Sequence, residues 1–548
     1  MTTTVAKAIT PRGKSTRSPR TGAGRAVFRR AARRIRRGAL IVALVTAGMS
    51  AVVAGQYQST FAGALDGAAL RALAENPAIR ILFGPPVALD DPGGFTVWRT
   101  GTPVQVLVAV WALLVATRLT RGEEDTGRTD LLLAGRLRAV DVLAKYLIAL
   151  ASAAVVIAGA VALALVATGT RSSGALVHAG GILGMTLTFA ATGVFAAQLM
   201  PTRAAATGLA VAVLGAGLLL RMLADGIGAL AWAGWITPFG LTSRSLPYAG
   251  DKVGPLLVLA VFPVVLTGMA LIACSRRDVG RALVNPAGRR RPRTRLLKTI
   301  TGFAVRRALR STIGWAAGLG AYFFLIGALV VSVVRFLGEN ARFAELAAGA
   351  GFGGLETIEG FAAAMFSLLA IPAGLYAATR VAAFAADESG RRLTSLLALP
   401  LSRHRLAVTE VVVTAVGVLV LLTAAAFAFW SGTVAGSAEL GLGAALTGAW
   451  NVAPVASLSL GAAMFALGWA PRAVAALGAL PVAGGFLLKV ILQSVQAPRW
   501  LSDLSPFTHL AAVPRASPDW TATLGLLAIA AALAGLGFLG YHRRDLST

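Results

Sequence analysis

The sequence predicts an all-α polytopic membrane protein, with twelve transmembrane helices arranged as two parallel six-helix repeats. Three observations predict it. Only 14% of the 548 residues are charged and the mean hydropathy is +0.74, whereas soluble domains carry about 25% charged residues. The apolar residues fall in runs of about 20 or more, long enough to cross a hydrocarbon core of roughly 30 Å as helices. Backbone groups in lipid must be satisfied within their own segment, which makes helix the default. Finally, a set of short motifs occurs twice in the same order. Their offset stays between 263 (Gly127 to Gly390) and 278 (Ala26 to Ala304).

Residues 1–24 hold Pro, Ser, Thr, Gly and basic residues and almost nothing to bury, which predicts a disordered basic tail. Gly13-Lys14-Ser15 ends like a phosphate-binding loop. Ala8 stands where that pattern needs a glycine, however, and no strand precedes it. Over 25–37, Val27, Phe28, Ala31, Ala32 and Ile35 recur at helical spacing, interspersed with Arg29, Arg30, Arg33, Arg34, Arg36 and Arg37. This predicts a basic amphipathic helix lying on an anionic inner leaflet. Direct continuation into a span favours a lipid-surface role over nucleic-acid binding.

Spans are expected near 38–58, 103–119, 140–168, 176–200, 204–224, 254–274, 312–334, 361–384, 407–433, 450–470, 473–493 and 521–541. With residue 1 inside, most of the 51 Lys+Arg fall in the inner segments, including the Arg-rich stretch 276–310. The excess of positive charge on one side sets the orientation, with both termini cytoplasmic. The same distribution explains the net charge of +28 without nucleic acid.

The repeat is read from matched pairs. Ala26-Val27-Phe28-Arg29-Arg30-Ala31 resembles Ala304-Val305-Arg306-Arg307-Ala308. Pro201 and Arg203 match Pro471 and Arg472, and Thr237-Pro238-Phe239 matches Ser505-Pro506-Phe507. Arg276-Arg277-Asp278 matches Arg543-Arg544-Asp545. Both halves start and end inside, so the repeats are parallel, about an axis along the membrane normal. The organisation expected is the tail 1–24, a first six-span half over 25–278, a basic linker over 279–301 and a second half over 302–548. Pseudo-symmetric halves also predict a pathway at their shared axis.

Enzyme chemistry finds no support. His178, His404, His509 and His542 are far apart, Asp90-Asp91 stands alone, and no Gly-x-Ser-x-Gly elbow occurs. The one cysteine, Cys274, excludes an intramolecular disulfide or a multi-Cys metal site. Transport remains, and few ionisable residues fall within spans. Arg221 and Lys489 hold equivalent positions toward the outer ends of theirs. Two readings stand for this pair: snorkelling to the interface, or a cationic ring on the substrate pathway. Glu410 is expected at the interface, so no span-centre carboxylate suggests a proton relay.

The most informative stretch is Gly122-Glu123-Glu124-Asp125-Thr126-Gly127-Arg128, followed by Leu131-Leu132-Leu133-Ala134. Its counterpart is Asp387-Glu388-Ser389-Gly390-Arg391, followed by Leu396-Leu397-Ala398 and Pro400-Leu401-Ser402-Arg403. Each connects spans two and three of its half on the inner side. Acids at a helix N-terminus complement its dipole, and Leu133, Leu137 and Val140 recur at i, i+4, i+7. A short amphipathic helix along the membrane surface, reaching Arg138, follows from that pattern. Recurrence at the same topological place points to a docking role.

These two stretches resemble those of the permeases of ABC type-2 exporters, specifically the fused two-half kind described as polyketide-antibiotic (tetronasin-like) or multidrug exporters. The first copy has Arg136 where a proline is usual. The resemblance implies that Glu123, Glu124, Gly127, Arg128, Leu132 and Leu133 form one coupling helix. Asp387, Glu388, Gly390, Arg391, Leu396, Leu397, Pro400 and Arg403 form the other. It implies two copies of a soluble ATPase docked beneath one chain in a bacterial cytoplasmic membrane. ATP and Mg would be bound by that partner and no cofactor by this chain. The cargo would be hydrophobic or amphiphilic, taken from the cytosol or inner leaflet, and the Arg-rich segments before spans one and seven would be membrane-surface connecting helices. An ion-driven twelve-span drug carrier is the alternative, and a membrane scaffold a more distant one.

Overall fold

The computed structural model describes residues 20–57, 80, 84–86, 88–226, 228–284, 299–339, 354–390, 402–494 and 498–544. Among these residues there is no strand, and twelve helices are long and apolar enough to cross a membrane. The chain forms two compact units: Met1–Glu75 with Ile79–Arg290, and Asn76–Ala78 with Arg291–Thr548.

In the first unit the spans are α1 (Arg20–Gln56), α2 (Pro92–Leu119), α5 (Ala139–Ala167), α6 (Ser172–Leu199), α7 (Arg203–Gly226) and α9 (Gly254–Arg276). Two short helices, α3 (Arg121–Asp125) and α4 (Arg128–Leu133), lie between spans two and three. α8 (Pro238–Arg244) lies between spans five and six, after a 3-10 segment over Gly228–Ile236. The second unit repeats the six spans, though two of them are divided. They are α10 (Ile300–Glu339), α11 (Ile358–Ser389), α12 (Arg403–Ala435), α13 with α14 (Leu442–Trp450 and Ala453–Trp469), α15 with α16 (Val474–Ala479 and Gly485–Ser494) and, after a short α17 (Arg499–Ser502), α18 (Trp520–Arg543).

Local chemistry explains the boundaries. Asp91 caps α2 by accepting from the Gly93 and Gly94 amides, and Thr357 caps α11 by accepting from Gly360. Inside the spans, hydroxyls bond back to their own helix, as Thr46 does to Val42 and Thr186 to Ile182; this satisfies them without water. The divisions follow prolines. Pro454 stands just after the break between α13 and α14, where Asn451 reaches across to the Ala511 carbonyl. Pro481 sits in a widened π turn over Leu480–Gly484, between α15 and α16.

The two units use the same packing plan. In the first, span one lies along span three, span two along span four, and span four along span six. In the second, span seven lies along nine, eight along ten, and ten along twelve. Spans four and ten are the most enclosed, with 72% of their apolar windows buried within the chain, against 22% or less for spans six, seven, eleven and twelve. The second unit achieves its closest approach through glycine. A Cβ on Gly432 would strike the Phe324 carbonyl, and one on Gly327 the Phe429 carbonyl. Gly432→Val should therefore lower the melting temperature of the purified protein, by the roughly 1–3 kcal/mol typical of overpacking; an unchanged melting curve would contradict this packing.

One expectation is corrected here. The basic segment 25–37 is not a surface helix beside span one; it lies within the same continuous helix, Arg20–Gln56. Val27, Ala31 and Ile35 are buried in the first unit's core, so its apolar face meets protein where lipid was expected. The start of α10 behaves likewise, with Ala304 and Ala308 packed against Val413. The periodicity identified an apolar face, but a face of that width fits a neighbouring helix as well as a bilayer.

Candidate functional site

The candidate site is the pair of acidic connectors between spans two and three and between spans eight and nine. In the first, α2 ends at Thr120 and the chain turns at once into α3. Gly127, at φ +68°, makes the reversal into α4 that a residue with a Cβ would resist. α4 stops at Leu133, three turn residues follow, and span three starts at Ala139. The single helix expected to reach Arg138 is thus two short pieces, because left-handed Gly127 and the turn through Gly135 interrupt it. Leu132, Leu133, Leu137 and Val140 still pack against the core, while Leu131 is 78% exposed.

The two glutamates do not point outward. Glu123 is 2% exposed and is ion-paired with Arg34, with Arg128 at 3.5 Å and Arg30 at 4.0 Å. Glu124 pairs with Arg277 and, at 2.8 Å, with Arg121. Asp125 accepts the Arg203 amide at 2.9 Å. The connector is therefore bound to the start of span one, the end of span six and the start of span five.

The second copy repeats this by role. Asp387 pairs with Arg307 at 3.0 Å, as Glu123 does with Arg30; Glu388 pairs with Arg544 at 2.9 Å, as Glu124 does with Arg277. Arg30 and Arg307 belong to the matched motifs before spans one and seven, and Arg277 and Arg544 to those after spans six and twelve. In each unit, two adjacent acids thus clasp the first helix and the segment after the last. Gly390 closes α11 and exposed Arg403 opens α12. Arg391, Leu396, Leu397 and Pro400 lie outside the described residues.

Two clusters escaped sequence reasoning. Arg121 is buried and donates to the carbonyls of Pro201, Gly280 and Arg281 while pairing with Glu124 and Asp125. It ties three loops together at one point. Its position two residues before Glu123 is the only signal of this in the sequence. Glu410 is not interfacial: it is buried between Arg380 and Arg307, the latter at 3.5 Å. Arg307 thus joins Asp387, Glu410 and Arg380 into one charge-balanced network. Buried ion pairs of this kind tolerate the loss of one partner poorly.

Arg221 and Lys489 do not form a matched pair. Arg221 is buried, ion-paired with Asp225 one turn on, and donates to Thr102 Oγ1 at 3.1 Å, so it does not snorkel. Lys489 is half-buried on α16. The residue one turn after it is Gln493, so the acid that neutralises Arg221 is missing from the second motif.

Comparison with known proteins places the chain. A protein-family model described as the C-terminal domain of the multidrug efflux system permease Rv1217c matches residues 297–542. The multidrug efflux system permease protein Rv1217c of Mycobacterium tuberculosis is 31% identical over 493 residues, covering 87% of this chain and 86% of that protein. The second alignment takes in both units and both connectors.

Proposed function

We propose, because this chain belongs to the family of the multidrug efflux system permease Rv1217c, that it is the membrane-embedded permease of an ATP-driven exporter whose ATPase is a separate protein. The observation that carries this reading is the recurrence of the clasped connector. A partner pressing on Leu131 in the first copy would load a segment already bonded to the first helix of its unit and to the loop after the last. The second copy offers the same bonds through Asp387 and Glu388. Two equivalent levers suit two copies of one ATPase. The acids serve as the lever's fastening, and the exposed part of α4 is its contact.

On this reading the chain sits in a bacterial cytoplasmic membrane with both termini in the cytoplasm, as the positive-charge bias supports. ATP with Mg is held and hydrolysed by the partner. Cargo is hydrophobic or amphiphilic, with polyketide antibiotics one class to set beside synthetic drugs.

The test is efflux of a fluorescent drug from cells expressing the chain together with its ATPase. Efflux should stop on ATP depletion and persist when a protonophore removes the proton gradient. A cysteine placed at Leu131, with Cys274→Ser, should crosslink to the ATPase in native membranes. Efflux that survives ATP depletion and collapses with the protonophore would overturn the proposal and favour an ion-driven carrier.

A further inference from the structure

The loops on the face opposite the connectors line a half-open cavity of about 380 Å³ in the first unit. Its walls include Arg80, Trp235, Arg244, Lys252 and Pro255, with Asp225 as the only acid among the described lining residues. Asp225 is ion-paired with Arg221 and is also attracted by Arg244 and Arg80, so the described lining, with Arg80, Arg244 and Lys252, keeps an excess of positive charge. Arg244 is held in place: its guanidinium lies over the Trp235 ring at 5.2 Å and donates to the Ala231 carbonyl. Trp232, Trp235 and Ile236 of the adjoining 3-10 segment are exposed, the arrangement of an aromatic girdle at a membrane–water interface.

A smaller chamber adjoins the cavity and shares Pro85 and Ser243 with it. Its wall sets the polar side chains of Thr102, Gln105, His178, Arg221 and Thr242 beside apolar ones such as Trp98 and Phe239. Gln105 and Thr242 bond to each other at 3.0 Å. The imidazole of His178 is 4% exposed and lines this chamber. A wall bearing these groups suits something polar occupying this space.

The second unit shows that the fold does not require it. Phe366 stands as far before Asp387 as Thr102 does before Glu123, and Gly448 as far before Pro471 as His178 before Pro201. There Phe366 lies directly against Gly448 and packs with Phe323 and Phe429, at ring distances of 6.0 and 5.1 Å. Ala512 stands where the matched motifs put Arg244. One copy of the duplicated unit fills the position with aromatic rings, and the other keeps it open, polar and cationic.

We infer that the first unit carries a binding site for an anionic amphiphile on the face opposite the connectors. Its acid group lies among Arg80, Arg244 and Lys252, its apolar body along Trp235 and Pro255, and the polar chamber below takes a hydroxyl or carbonyl of the same molecule. A transported carboxylic acid and an anionic lipid headgroup share this chemistry. The site does not depend on the energy source: ATP-independent efflux would defeat the function proposed above and leave this binding untouched.

The test uses the full chain in phosphatidylcholine nanodiscs with a dansylated fatty acid as probe and its methyl ester as control. The acid should bind more tightly than the ester. Arg244→Gln with Lys252→Gln should weaken the acid by about tenfold or more, through loss of two charge-assisted contacts, and leave the ester unchanged. Thr102→Phe with His178→Gly should close the chamber as the second unit does and also weaken the acid. If added phosphatidylglycerol displaces the probe, the natural occupant is a lipid headgroup; if it does not, the occupant is a transported acid. Equal binding of acid and ester, or parent-like binding by both double variants, would overturn the site.

Discussion

Glu388→Arg should reduce drug efflux to background, and adding Arg544→Glu should restore part of it. Glu388 has its side chain 5% exposed and lies 2.9 Å from the Arg544 guanidinium. Reversal sets two cations against each other in a place that water barely reaches. Breaking such a pair typically costs about 3–5 kcal/mol, most of it from the charge left uncompensated. The double swap returns opposite charges to the same two positions. It cannot return everything, because Arg544 also donates to the Leu467 carbonyl at 2.8 Å, a bond glutamate cannot make. Glu124 with Arg277 should behave in the same way in the first unit. Protein level in the membrane must be measured beside efflux. A single variant with parent-like efflux, or a double variant no better than the single one, would remove the clasp from the mechanism. Loss of efflux with protein level and ATPase crosslinking intact would show that the clasp transmits movement beyond holding the fold.

Glu410→Ala should produce the largest loss of stability of any single substitution in the second unit. It leaves Arg380, 5% exposed, without its carboxylate, and frees one side of Arg307. The expected cost is again about 3–5 kcal/mol, read as a lower aggregation temperature of the detergent-purified protein. Glu410→Leu with Arg380→Met should recover most of it, since an apolar pair of similar volume often replaces a buried ion pair at little cost. Were the double variant as unstable as Glu410→Ala, the network would owe its importance to packing. Should it be stable but inactive in efflux, these charges serve movement as well as folding.

Much of the architecture was legible in order along the chain. The spans appear where apolar runs predict them, because crossing a bilayer is a constraint on each segment separately: length and polarity suffice to read it. The recurrence of acids, arginines and prolines at near-constant offset marked two equivalent halves for a similar reason, since a repeat is written along the chain. What stayed hidden was every decision about which neighbour a face meets. Val27, Ala31 and Ile35 could have faced lipid or helix, and only packing placed them in the core. The acids of the connectors looked available to a partner, because Arg34 and Arg307 lie 80 or more residues earlier in the chain than the acids they pair with, and Arg277 and Arg544 more than 150 later. Arg221 and Lys489 looked equivalent, yet one is neutralised by an acid a turn away.

The pattern of residues alone therefore settled that this is a twelve-span, twofold-repeated membrane protein and where its two connectors lie. Folding in three dimensions settled that those connectors are clasped to the ends of their own unit, that Glu410 is buried between two arginines, and that the first unit keeps a polar chamber where the second packs Phe366 against Gly448. The reason is range. Hydrophobicity acts on each segment against its solvent and is visible locally, whereas an ion pair or a cavity exists only once segments far apart in the chain are brought within a few ångströms.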